Sequence, residues 1–144
     1  MAGTQRHDPF SGGHFLVEID GLTRASFESV SGLTAFAHVE EYREGGDHVV
    51  RKEIGEVEYE NIELHAGLDA NRELYDWWNT VATGTPSRRN LSVVLLDSAG
   101  QEVARWNVRE AVPVRYTVSN LDARDDNVVL EVLELAHEGI ERAA

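Results

Sequence analysis

Apolar residues recur at every second position over most of this chain, and that alternation constrains its fold more than any other feature. In His14–Asp20 (HFLVEID), Phe15, Val17 and Ile19 fall on one side, while His14, Glu18 and Asp20 are among the residues opposite. That is the pattern of a strand with one face in the core. Ser26–Gly32, Phe36–Arg43, Val57–His65, Glu102–Glu110, Val112–Ser119 and Asn127–Ala136 read as further strands, and Asn90–Asp97 (NLSVVLLD) is apolar enough to be central. Ser98–Gln101 marks a hairpin turn, and Asp122–Asn127 (DARDDN) a polar loop. The reading is a mainly β protein of about seven or eight antiparallel strands.

Only one segment switches to helical spacing. Leu74, Trp77, Trp78 and Val81 form a stripe expected to be buried in a helix over Ala70–Ala82, with Asp69 as its cap and Gly84 and Pro86 as its stop. A lone amphipathic helix among strands packs on a sheet or plugs a barrel end. The 144 residues supply one domain and one core. Residues 1–12 read as a flexible arm.

Charge and composition exclude several classes. Asp and Glu number 26 against 13 Lys and Arg, for a formal net charge of -13. Nucleic-acid wrapping and anionic membrane surfaces both require the opposite sign. No basic, then apolar, leader opens the chain, and no apolar run approaches the length of a membrane span. The absence of cysteine removes disulfides, thiolate metal sites and thiol nucleophiles. His137-Glu138-Gly139-Ile140-Glu141 lacks the second histidine of a zinc-protease helix. His7, His14, His38, His48 and His65 have no ligand spacing. Asp122, Asp125, Asp126 and Asn127 lack the glycine and distal glutamate of a calcium loop. No nucleophile elbow or phosphate cradle is present. We therefore expect no enzyme activity, cofactor or metal.

The segment between the third and fourth strands is unusual. Arg43–Glu56 (REGGDHVVRKEIGE) carries a double glycine, mixed charge and little core material. It is longer than a hairpin turn needs, and connections of this kind either serve a function or remain unstructured. Glu40–Glu63 holds nine acidic residues against Arg43, Arg51 and Lys52, and Lys52 is the one lysine in the chain.

At this point the order of motifs resembles the tail-tube family of contractile phages and phage-tail-like contractile injection systems. The resemblance runs from about Asp8 to Arg142. It is carried by Asp8-Pro9-Phe10 with Phe15–Gly21; Phe27 with Val30–Leu33; Glu41-Tyr42-Arg43-Glu44-Gly45-Gly46; Tyr59–Leu64 with Gly67; Glu73–Trp78; and Glu131–Glu141. The type VI secretion tube protein is similar in fold but less so in these motifs.

The resemblance implies a β-barrel or sandwich flanked by the helix, with a long extended hairpin loop. It further implies hexameric rings that stack into a tube inside a contractile sheath. Assembly would take place in the bacterial cytoplasm, as part of a phage tail or injection particle. The partners implied are further copies of the chain, sheath protein, baseplate or tube-initiator protein, terminator protein, and lumen cargo in the form of effector protein or phage DNA. No membrane is implied.

Mapped onto this sequence, the assembly loop is 43–56. Its contact residues would be Arg43, Glu44, Gly45, Gly46, Asp47, Val49, Val50, Arg51, Lys52 and Ile54. Glu40, Glu58, Glu60 and Glu63 are the candidates for the lumen wall. The family also contains initiator and baseplate adaptor paralogues. A reading from another class, a monomeric acidic β-sandwich binding module, would leave Trp77 or Trp78 exposed.

Overall fold

The computed structural model describes residues 8–46 and 48–144. It contains nine strands and one helix among these residues: β1 (Phe15–Ile19), β2 (Ser29–Ser31), β3 (Ala35–Tyr42), β4 (Arg51–Tyr59), β5 (Ile62–Gly67), α1 (Glu73–Ala82), β6 (Arg89–Leu96), β7 (Glu102–Val118), β8 (Leu130–Ala136) and β9 (Gly139–Arg142). Most of the proposed arm, residues 1–7, lies outside the described residues. Residues 8–12 are exposed and belong to no strand.

Strands run in the order β1-β6-β7-β8-β5-β2, every described pairing is antiparallel, and β9 adds to β7. Two sheets share β7. Its first part pairs with β6 and β9, and its second part with β8. The sequence reads as two strands here, but β7 is continuous over 17 residues. It bends at Glu110, which holds φ at 54° beside a register shift. The Asn90 side chain accepts from the Glu110 amide at 3.0 Å and fixes the bulge.

The alternation puts Val17, Ile19, Leu91, Val93 and Val108 of one sheet against Ile62, Leu64, Leu133 and Leu135 of the other. Burial of these aliphatic faces drives the sheets together, at about 1.5–3 kcal/mol per fully buried side chain. Leu74 and Trp77 of α1 close one side of this core, both fully buried. Trp78 is only half-buried and packs against the core margin.

Helix α1 starts at Glu73 rather than Ala70, and Asp69 does not cap it directly. The Asp69 carboxylate accepts from the Asn71 amide, and Asn71 Oδ1 accepts from the Glu73 amide, each at 2.8 Å. These successive side-chain turns use up residues 69–72 before the first helical turn. The Glu73 carboxylate then accepts from the Thr23 hydroxyl at 2.7 Å, the Thr23 amide at 2.9 Å and the Asn71 amide group at 3.0 Å. These bonds favour the charged form and hold its pKa down at about 2.

The projecting hairpin as a candidate assembly interface

Strands β3 and β4 form a separate two-stranded sheet. The chain runs from β2 into β3 and from β4 into β5, so the hairpin prolongs the β2–β5 ladder beyond a break. Gly32 sits at that break with φ at +91°, and a Cβ there would run into the backbone carbonyl of Asn61. Only glycine tolerates both conditions. The root is tied to the body from two sides. Asn61 Nδ2 donates to Glu134 at 2.9 Å, and His137 Nε2 donates to the Glu60 carbonyl at 2.9 Å. His137 Nδ1 accepts from the Gly139 amide, which fixes that tautomer. The Tyr59 ring also lies 5.6 Å from the His137 ring. The His137-Glu138 segment is thus a turn into β9 that also anchors the hairpin.

Every residue of β3 is exposed, whichever face it lies on. Pairing sets Ala37 opposite Val57 and Val39 opposite Ile54, with a bulge between them. The bulge adds one residue on β4, so Ile54 and Val57 share a face despite their spacing of three. Together with Ala35 and the half-buried Tyr59 they make an apolar ladder whose outer part no described residue covers; Ile54 is 72% exposed, Val57 56% and Val39 53%. The other face is mostly polar, though it also carries the exposed Phe36 and Tyr42 rings. His38 Nε2 lies 2.9 Å from the Glu58 carboxylate, and Glu40 stands opposite Glu53. Toward the tip, Glu41 pairs across with Lys52, and Tyr42 with Arg51.

The structure corrects the bounds of the proposed loop. Arg51, Lys52, Ile54 and the rest of Arg51–Glu56 belong to β4, so among the described residues the irregular tip is confined to 43–46 and 48–50. Arg43, Glu44, Gly45, Gly46 and Val49 are exposed there, and Val50 is half-buried. Gly46 takes φ +81°, which turns the tip. Asp47 lies outside the described residues.

The four lumen candidates do not share one surface element. Glu40 and Glu58 lie on the polar hairpin face, and Glu60 is exposed at the root. Glu63 lies on the outer face of β5, opposite Glu134, which in turn faces Arg115 of β7.

Sequence reasoning read Gly32 only as the end of the second strand, not as the break in the ladder, and it missed the buried Glu131. Glu131 is 2% exposed and occupies the inward register of β8 with Leu133 and Leu135. A glutamate in phase with buried leucines was the available signal.

The model of the family described as T4-like virus tail tube protein gp19 matches residues 12–141. No curated protein matches the chain. Among solved structures, a chain from the sheath–tube complex of the extracellular contractile injection system PVC, in its extended state, is 27% identical with a TM-score of 0.86. The match covers 94% of this chain and 92% of that one. A chain from the PVC sheath/tube terminator is 27% identical with a TM-score of 0.87, covering 96% and 99%. A chain from the anti-feeding prophage baseplate shares the fold at TM-score 0.87 and 24% identity, covering 96% and 98%.

Proposed function

Because this chain belongs to the T4-like virus tail tube protein gp19 family, a family of structural tail components, we propose that it is the main inner-tube subunit of a contractile phage tail or injection particle. It assembles as hexameric rings that stack around a lumen inside a sheath. The observation that carries this reading is the β3–β4 hairpin, whose Val39, Ile54 and Val57 side chains no described residue covers. An uncovered ladder of this kind is a place for another chain to pack.

A second copy supplies the natural cover. The hairpin of one subunit lies against the body of the next, so the two surfaces in contact differ. Such a contact is heterologous and repeats, closing as a ring or continuing as a filament. Arg43, Arg51 and Lys52 carry positive charge into a neighbour that is acidic overall, offsetting part of the repulsion between subunits of charge -13. Of the four lumen candidates, Glu40 and Glu58, which share one face of the hairpin, then contribute to an acidic wall. Such a wall repels a DNA backbone and lets it slide, and it also admits protein cargo. Sheath, baseplate and terminator proteins complete the set of partners, with assembly in the bacterial cytoplasm.

The test is negative-stain electron microscopy with analytical ultracentrifugation over a concentration series. Rings of about six copies, stacking at high concentration, are expected. A strict monomer at every concentration, even with sheath and baseplate proteins added, refutes the reading and leaves the monomeric binding module.

A further inference from the structure

Where the β5–α1 connection and the start of α1 pass β7 and β8 lies a pocket of about 280 Å³, walled by Leu68, Arg72, Tyr75 and Tyr116 with Glu131 at its floor. Glu131 Oε2 accepts a short hydrogen bond from the Tyr116 hydroxyl. Glu131 Oε1 is buried and has no partner. A buried carboxylate oxygen without a donor is costly, and because Oε1 has almost no accessible surface, a donor that parts the pocket walls finds an unused acceptor behind them.

The chemistry of that group follows from the walls. Tyr75 and Tyr116 pack edge to face, with centroids 5.4 Å apart and planes at 75°. Aromatic faces beside a carboxylate attract a cation that also donates hydrogen bonds. The pocket wall already carries one cation, Arg72, which makes no bond to Glu131 Oε1. The Arg72 guanidinium lies 5.5 Å from the Tyr75 centroid and 3.9 Å from Asp76, with its side chain 73% exposed.

We propose that the pocket over Glu131 receives a guanidinium or ammonium group carried by a neighbouring protein chain. The site is separate from the hairpin and does not depend on how the hairpin is used.

The probe is ethylguanidinium chloride, titrated into the folded protein at constant ionic strength and followed by the ring NMR signals of Tyr75 and Tyr116. A saturable shift is expected, with sodium acetate giving none. Glu131→Gln should weaken the affinity at least about tenfold, as expected for losing a charged acceptor. Arg72→Gln should bind no more weakly than wild type, because it removes a competing cation. If Glu131→Gln fails to fold, the comparison of ethylguanidinium with acetate on wild type and Arg72→Gln still decides.

No saturable shift in either protein, an equal response to acetate, or undiminished binding by folded Glu131→Gln overturns the proposal. The source of the group is read separately. If Glu131→Gln impairs ring or tube formation by the chain alone, the group comes from another copy. If the chain alone assembles normally while probe binding is lost, it comes from a different protein.

Discussion

Trp77 Nε1 donates a 2.7 Å hydrogen bond to the Ser87 carbonyl, joining the middle of α1 to the segment that leads into β6. Ser87 returns through its amide to the Thr80 hydroxyl at 3.2 Å, and that hydroxyl donates to the Trp77 carbonyl at 2.7 Å. The indole is 1% exposed. Trp77→Ala is therefore expected to cost about 3–5 kcal/mol, and Trp77→Phe about 1–2 kcal/mol through the unpaired Ser87 carbonyl and lost volume. Trp78→Ala, at the half-buried margin, should cost less than Trp77→Ala. Chemical denaturation of the three variants checks the ranking, and a binding module that displays Trp77 would show no loss.

Replacing Ile54 and Val57 together by serine should leave the isolated fold within about 0.5 kcal/mol of wild type, because both side chains are exposed. The same variant should no longer form tubes. Electron microscopy and a thermal melt on one preparation separate the two effects; normal tubes would remove the apolar ladder from the interface.

Arg51 and Lys52 reversed together to glutamate should also preserve the fold and abolish tubes. Each exposed pair is worth only about 0–1 kcal/mol, but a ring repeats it in every subunit. Tube length should fall as salt rises in the wild type. Salt-independent assembly together with normal tubes from the double variant would leave the apolar contact as the whole of the interaction.

Gly32→Ala should destabilise by about 2 kcal/mol or more, from a φ of +91° and collision with the Asn61 carbonyl. The hairpin is expected to leave its alignment with the body. Loss of the Asn61 to Glu134 hydrogen bond, followed by the Asn61 side-chain amide NMR signals, is the direct readout; unchanged stability would show that the break is tolerant.

Glu73 sets an acid limit. Its folded pKa is about 2 against an ordinary 4.5, so its contribution is present in full above about pH 4.5 and fades as the pH falls toward 2. Discounted for its partial exposure, that contribution is about 1 kcal/mol. Glu73→Gln should lower stability by that amount at pH 7, and the gap from wild type should close near pH 2. A gap that is constant with pH would show that the carboxylate charge plays no part.

The sequence was legible wherever burial enforced its period. Strands β1 and β6 stood out because Val17, Ile19, Leu91 and Val93 each face the core. The start of β4 did not, because no described residue buries it and the bulge places Ile54 and Val57 three apart on one face. Run together, 57–65 read as one strand, since the break at Glu60–Asn61 is made by Gly32 on the opposite strand rather than by a local signal. The hairpin's place in the candidate site came from the resemblance and from its charge pattern. The Glu131 pocket was hidden because it is assembled from three separated stretches of chain: 68–75, which leads from β5 into the first turn of α1, Tyr116 of β7 and Glu131 of β8.

The continuity of β7 across both sheets has a mechanical consequence. Its 17 residues would span roughly 55 Å if straight. A thrust delivered to one sheet passes to the other along covalent bonds rather than across the apolar layer between them. The two sheets cannot slide apart under axial load without stretching that strand or straightening its bend at Glu110. The subunit therefore resists shear as a single rigid strut, with compliance concentrated at one bulge.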